Sequence, residues 1–233
     1  MNEAVRRKLS ELCPADVYET GVASLEGLLS PELSRFRYGL SLARKLDDAT
    51  IDRIVEGPTK DYYDLYFAVN SELNEKVAQI ALMLKLYRIE ALAVPATVDD
   101  SELDDSYFET LRYPFSHKMA ATRAGLGWVG KTDLLVTHRF GPRVRLATVL
   151  TSDPVFEPGT PVSESLCGSC SACVNACPAK AATGLHWSAG VDRDRFYNAF
   201  LCRDYCRRVS KERLNADISL CGLCIAVCPE GRA

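Results

Sequence analysis

The apolar positions of the first 150 residues repeat with two different periods. Alternation of apolar and polar residues predicts β-strands at 17–23 and 36–42, and a short apolar run predicts a buried strand at 91–94. Apolar residues that recur every three or four positions predict a long helix over 59–88. The apolar stripe of that helix consists of Leu73, Val77, Ile80, Ala81, Leu84 and Tyr87. This half of the chain is therefore expected to fold as an α/β domain.

Shorter segments complete the pattern. Helical spacing predicts short helices at 2–12, 47–55 and 116–124, and a charged helix at 195–209. A strand is predicted at 133–138, directly after a glycine-rich stretch.

The cysteines are concentrated at the C-terminal end and indicate a domain boundary. Nine of the ten lie at or after position 167, and the preceding stretch 152–161 contains three prolines and one glycine, a composition typical of a linker. We therefore predict an α/β domain over residues 1–155 and a small domain over 156–233. A domain of roughly 70 residues buries little apolar surface, so bound metal is expected to contribute to its folding.

Composition narrows the choice of compartment and partners. Of the 233 residues, 47% are hydrophobic and 25% are charged, as in soluble globular proteins, and no apolar run approaches the ~18 residues of a membrane span. The N-terminus lacks the apolar segment of a secretory signal, so we expect a cytoplasmic protein with reduced cysteines. The net charge of −3 argues against nucleic acid as the main partner, because phosphate binding requires a basic surface.

The spacing of the cysteines carries the clearest chemical information. The run from Cys167 to Pro178 has the pattern C-x2-C-x2-C-x3-C-P, and the run from Cys221 to Pro229 has the pattern C-x2-C-x3-C-P. This spacing is typical of proteins that bind two [4Fe–4S] clusters. Zinc sites usually combine two separated cysteine pairs, and disulfides require an oxidising compartment, so both alternatives fit less well.

The two runs exchange ligands in two-cluster ferredoxins, and this rule assigns eight cysteines. One cluster is predicted on Cys167, Cys170, Cys173 and Cys228, and the other on Cys177, Cys202, Cys221 and Cys224. Cys206, one helical turn after Cys202, is the alternative ligand. Cys13 is expected to be a buried, small apolar side chain.

The stretch from Gly125 to Thr132, GLGWVGKT, satisfies two phosphate-binding patterns, G-x-G-x-x-G and G-x-x-x-x-G-K-[ST]. Both kinds of site require a strand before the glycines and a helix after them. The predicted order is the reverse, which disfavours a P-loop and a dinucleotide site. The glycines can instead form a structural turn or let a planar cofactor approach the backbone.

This glycine loop, the segments 134–137 (LLVT) and 146–150 (LATVL), and the cysteine runs together resemble the epoxyqueuosine reductase family. That family consists of cobalamin-dependent iron–sulfur reductases related to reductive dehalogenases, and the resemblance covers about residues 36–229. It implies an α+β protein in which an α/β corrinoid-binding-like domain precedes a ferredoxin-like domain with two [4Fe–4S] clusters. It also implies a corrin lined by Gly125, Gly127, Trp128, Gly130 and Lys131.

The chain departs from the family at two places. The family's proton-donating aspartate, in an Asp-Ser-Ala-Pro stretch, is matched by Leu111-Arg-Tyr-Pro114, which contains no acid. The family also continues into helical repeats that hold tRNA, whereas this sequence stops at Ala233. We therefore expect a small-molecule substrate rather than tRNA, with His117 as the candidate proton donor.

The expected function is an oxidoreductase whose clusters pass electrons to a corrinoid. The alternative is a non-catalytic electron carrier or corrinoid-handling protein. An acidic electron donor such as a flavodoxin, or a ferredoxin, is expected to dock on basic residues near the second cysteine run, unless these only form a solvated helix face. They are Arg203, Arg207, Arg208, Lys211 and Arg213.

Overall fold

The structure is a computed structural model that describes residues 3–231, and these divide into two compact units. The first unit comprises 3–45, 69–126 and 145–162, and the second comprises 46–68, 127–144 and 163–231. The division therefore does not follow the contiguous boundary predicted at 155/156. Residues 46–68 and 127–144 fold with the cysteine-rich segment, which gives that segment a larger apolar core than its own sequence contains.

The elements follow one another in this order: α1 (Glu3–Leu12), β1 (Tyr18–Ser24), β2 (Tyr38–Lys45), α2 (Asp48–Asp52), α3 (Lys60–Leu86), β3 (Ala91–Val94), α4 (Asp105–Thr110), α5 (His117–Arg123), β4 (Gly127–Val129), β5 (Leu135–Thr137), β6 (Val144–Thr151), α6 (Ala172–Ala176), α7 (Ala199–Leu214) and α8 (Leu223–Ala226). Within residues 3–231, no helix combines the length and apolarity needed to cross a bilayer.

A four-stranded sheet in the order β1-β2-β6-β3 forms the centre of the first unit. β1 pairs antiparallel with β2, with Tyr18 opposite Arg44, and β3 pairs antiparallel with β6, with Ala91 opposite Thr151. The central strands β2 and β6 are buried along most of their length, and the polar side chains of Ser41, Thr148 and Thr151 are buried with them.

Helix α3 confirms the predicted apolar stripe over most of its length. Leu73, Val77, Ile80 and Leu84 are each at most 1% exposed, because their three- and four-residue spacing places them on one face. Tyr87 was predicted to continue the stripe, and this prediction is wrong. The helix ends at Leu86, the backbone of Arg88 turns to a φ of 61°, and Tyr87 is 36% exposed.

The observed helix boundaries differ from the predicted ones where capping residues fix the start of a helix. The helix predicted at 47–55 covers only Asp48–Asp52, because the Asp47 carboxylate accepts a hydrogen bond from the Thr50 amide at 2.7 Å and caps its start. The helix predicted at 195–209 begins at Ala199, capped by Asn198, and continues to Leu214. Residue 2 of the helix predicted at 2–12 lies outside the described residues.

Strands β4 and β5 form an antiparallel hairpin in the second unit, with Gly127 opposite Thr137 and Val129 opposite Leu135. The glycine loop therefore leads from α5 into a strand and not into a helix. No helix N-terminus follows the glycines to receive a phosphate, so the structure agrees with the rejection of a P-loop and of a dinucleotide site.

Candidate iron–sulfur centre

The first cysteine run winds as a tight loop in the second unit. Gly168 has a φ of 50°, and the amide of Cys170 donates to the carbonyl of Cys167 at 3.1 Å. The short helix α6 follows and ends at Cys177, whose extended backbone leads the chain away. One compact turn thus carries three cysteines, as ligation of a single cluster by neighbouring residues requires.

Four cysteines, which we call the first cysteine group, lie together: Cys167, Cys170, Cys173 and Cys228. Burial raises the pKa of Cys173, a hydrogen bond from the Thr132 hydroxyl lowers it, and the nearby thiolates of Cys167 and Cys170 raise it again. Burial raises the pKa of Cys228 to about 11, with Cys173 and Cys167 adding to the rise. Such thiols become thiolates when a metal charge balances them, so this set fits a metal cluster.

The second cysteine group consists of Cys177, Cys202, Cys221 and Cys224. Burial raises the pKa of Cys224, and the charges on Cys221, Cys202, Cys173 and Cys177 raise it further. Because Cys173 belongs to the first group, the two groups lie close enough for their charges to interact. These interactions place the cysteines of both runs in one neighbourhood, and their division into two ligand sets stays a prediction.

Cys206 is the tenth cysteine, and it lies beside the second group. Its Sγ is 3.7 Å from Sγ of Cys202. A hydrogen bond from Cys206 lowers the pKa of Cys202 to about 7, and burial opposes this shift. Cys206 also hydrogen-bonds Cys221 and lowers its pKa. The lower pKa of Cys202 favours it as the ligand, since the thiolate is the form that binds iron, and the choice between Cys202 and Cys206 stays a prediction.

The glycine loop contacts the first cysteine run directly. Trp128 and Lys131 are each only 4% exposed. The indole Nε1 of Trp128 donates to Sγ of Cys167 at 3.3 Å, and Nζ of Lys131 donates to the carbonyl oxygens of Gly168 and Cys170 at 3.1 and 2.7 Å. These two side chains are therefore fully engaged by the cysteine loop.

The glycines predicted to line a corrin are surrounded by the protein's own backbone. A Cβ on Gly127 would lie 2.0 Å from the carbonyl oxygen of Val136, and one on Gly125 would lie 2.7 Å from that of Thr160. A Cβ on Gly130 would meet Val136 and the sulfur of Cys167. Internal packing thus accounts for Gly125 and Gly127, and Trp128 and Lys131 are engaged by the cysteine loop, so these residues do not fit the role of a corrin wall.

His117 begins α5 in the first unit, and both of its ring nitrogens have partners. Nε2 lies 2.9 Å from the carbonyl oxygen of Pro95 and must donate to it, so Nδ1 accepts from the Thr148 hydroxyl at 2.8 Å. Burial lowers the pKa of His117 to about 4. The ring is neutral at pH 7 and holds its one proton in an internal bond, so its role as proton donor stays a prediction without geometric support.

Sequence reasoning missed two residues that contact the cysteines. Thr132 hydrogen-bonds Cys173, and Tyr197 hydrogen-bonds Cys202 and lowers its pKa. Thr132 had been considered only as part of a phosphate-binding pattern. Tyr197 precedes α7, and no sequence signal links it to a cysteine that is five positions away across a helix start.

The comparisons with known proteins agree with this site. Residues 166–231 match the family described as a 4Fe-4S double cluster binding domain. The epoxyqueuosine reductase of Listeria monocytogenes is 35% identical over 162 residues, which cover 69% of this chain and 38% of that protein.

The chain resembles the epoxyqueuosine reductases.

Two solved structures of the family and its relatives share the fold. An epoxyqueuosine reductase crystallised with an epoxyqueuosine-modified tRNA-Tyr stem loop superposes with a TM-score of 0.56 at 21% identity, covering 97% of this chain and 64% of that one. A reductive dehalogenase studied for B12-dependent dehalogenation gives a TM-score of 0.62 at 17% identity, covering 92% and 30%. The predicted α+β fold class with a two-cluster ferredoxin-like domain is confirmed. The chain spans well under two thirds of the length of the curated relative.

Proposed function

We propose that this epoxyqueuosine reductase-like protein is an iron–sulfur oxidoreductase that carries electrons through two [4Fe–4S] clusters to a reducible small molecule. The observation that carries the proposal is that the eight predicted ligand cysteines lie in one compact unit, where the charges of several of them interact. When bound, each cluster exchanges one electron at a time at a potential that charge, hydrogen bonds and exposure determine.

Different elements of the chain adjoin the two cysteine groups. The hairpin of β4 and β5 adjoins the first group through Trp128, whereas α7 supplies Cys202 to the second group and carries basic side chains. We propose that a flavodoxin or ferredoxin donor docks on α7. Three of the basic residues already pair with carboxylates of the chain, Arg207 with Asp217, Arg208 with Glu212 and Arg213 with Glu56. The docking contribution of α7 is therefore expected to be modest and sensitive to salt.

Reduction of epoxyqueuosine in tRNA is the second candidate function. The name of the Listeria relative and the stem loop bound to a solved family member favour it. The formal net charge of −3 and the loop from Leu111 to Pro114, which carries no acid where the family carries its aspartate, favour the small molecule. Incubating the reduced protein with epoxyqueuosine-modified tRNA and with the free nucleoside, and measuring product by mass spectrometry, decides between the two.

A corrinoid is the cofactor that the likeness to the B12-dependent dehalogenase suggests. Because the glycine loop does not fit as its wall, we derive no step of the reaction from it. Equilibrium binding of hydroxocobalamin, followed by its visible absorption, tests whether other residues hold it. A protein that binds no corrinoid would leave the two clusters as the whole redox chain.

Anaerobic reconstitution with iron and sulfide tests the proposal. We expect about eight irons per chain, in keeping with two [4Fe–4S] clusters, and reduction by dithionite that a substrate reverses. A colourless protein that carries zinc and no iron would overturn the proposed function.

A further inference from the structure

Lys131 is a buried cation whose hydrogen-bond partners carry no charge. Its side chain is almost completely enclosed, and Nζ donates to the carbonyl oxygens of Gly168 and Cys170. Burying an ammonium without a carboxylate costs free energy, so such a cation is expected to have a partner of opposite charge nearby. The carbonyls that it binds belong to the loop that presents Cys167 and Cys170, so thiolates on this loop would supply such a charge.

Two further donors of the same hairpin point at sulfur atoms of this group. The Trp128 indole donates to Sγ of Cys167 at 3.3 Å, and the Thr132 hydroxyl hydrogen-bonds Cys173. Trp128, Lys131 and Thr132 lie within five consecutive residues, at the end of β4 and in the turn that follows. One short segment thus supplies a cation, an N–H and an O–H to the first cysteine run.

We propose that Trp128, Lys131 and Thr132 form a donor clamp that positions the first cysteine run and raises the reduction potential of the cluster bound there. Reduction adds one negative charge to the cluster. A nearby cation and hydrogen bonds to the cysteine sulfurs stabilise the reduced state more than the oxidised state, which makes the potential more positive. The three residues are positioning and tuning groups, and they make the first cluster a better electron acceptor than it would be without them.

The inference rests on the proposed function, because it assumes a cluster on the first cysteine group. The donor clamp is a different role for the glycine loop from the corrin contact that the sequence suggests. Glycine at position 127 lets β4 lie very close to β5, because a Cβ there would be 2.0 Å from the carbonyl oxygen of Val136. This close packing directs the three donors toward the cysteine loop.

The test compares midpoint potentials of the reconstituted full chain, measured by redox titration with EPR detection. We expect Lys131→Met and Trp128→Phe each to lower the potential of the first cluster while the iron content stays at the wild-type level. For Lys131→Met the expected change is at least tenfold in the one-electron redox equilibrium, which equals about 59 mV. Lys131→Arg should restore most of the potential, since it restores the charge. Thr132→Val should lower it less than Lys131→Met, because it removes a neutral donor.

Lys180→Met is the matched control, because Lys180 is an exposed lysine near the same cysteine run and water screens its charge. Unchanged potentials in the Lys131 and Trp128 variants, with both clusters present, would overturn the clamp and leave the proposed function intact. Loss of hydroxocobalamin binding in Lys131→Met at an unchanged cluster potential would also overturn it, in favour of a corrin contact. Failure of the wild-type chain to take up iron would instead contradict the proposed function.

Discussion

The sulfur atoms of Cys202 and Cys206 lie 3.7 Å apart, one helical turn from each other on α7. The hydrogen bond between them lowers the pKa of Cys202 to about 7, although burial opposes this shift. Because both cysteines face the same side of the helix, Cys202 as the ligand and Cys206 as the alternative remain predictions that substitution can separate.

Substitution of each cysteine tests that distinction. Cys206→Ser should retain about eight irons and an unchanged EPR spectrum, because Cys202 remains the ligand. Cys202→Ser should change the signal of the second cluster, since the neighbouring thiol of Cys206 would have to replace the lost thiolate. The double variant should lose about four irons. Iron loss from Cys206→Ser together with a normal Cys202→Ser protein would reverse the assignment.

A side chain at position 127 should destabilise the hairpin. Gly127→Ala would place a Cβ 2.0 Å from a backbone oxygen of the neighbouring strand, and backbone cannot move aside cheaply. We expect a loss of about 1–3 kcal/mol or more in the free energy of unfolding, measured with denaturant. Gly190→Ala is the control. It has a φ of 87° but open space around it, so it should cost only about 1–2 kcal/mol of backbone strain. Equal losses in the two variants would contradict the close approach of β4 and β5.

Removing the two acidic partners of Arg143 should destabilise the protein more than removing Arg143 itself. Its side chain is 1% exposed and bonds Asp48 at 2.9 Å and Asp52 at 2.5 Å. Asp48→Asn with Asp52→Asn leaves a buried cation without a counter-charge and should cost about 3–5 kcal/mol in denaturant unfolding. Arg143→Met should cost less, because Asp48 and Asp52 are 32% and 59% exposed and water can solvate them. Arg208→Met, which breaks an exposed pair with Glu212, should have little effect. A larger loss in Arg143→Met than in the double variant would contradict this ordering.

The free energy of unfolding should decrease in mild acid because His117 is buried in its neutral form. Its pKa of about 4 in the folded protein lies below the ordinary value of 6.5, so the unfolded chain binds a proton that the folded chain does not. The stabilising contribution is complete above pH 6.5 and declines as the pH falls toward 4, by up to about 1.4 kcal/mol per pH unit. Unfolding at pH 7.5, 6.0 and 5.0 measures it, and His117→Gln should lack this part of the pH dependence. The same slope in both proteins would show that the ring is accessible to protons.

Removal of iron should unfold the cysteine-rich segment selectively. Helices α6 and α8 contain five and four residues, too few to be stable without the contacts of the thiols. After chelation, hydrogen exchange should lose protection over 163–231 and keep it in β1, β2 and β6. Hydrogen-exchange protection that is the same before and after chelation would mean that the clusters contribute little to folding.

The sequence by itself determined the cysteine chemistry and the principal elements. The spacing of Cys167, Cys170 and Cys173 is a local property, because one loop must reach three corners of a cube, and the apolar stripe of α3 is equally local. Capping residues such as Asp47 shifted boundaries by a few positions without changing the kinds of element.

Only the tertiary structure decided what the remaining candidate residues contact. Lys131 meets the carbonyl of Cys170, which is 39 positions away, and His117 meets Thr148, which is 31 positions away. Such contacts depend on how separate segments pack, and no local pattern encodes them. For this reason the glycine loop resembled a cofactor wall in the sequence, whereas in the fold its donors face the first cysteine run.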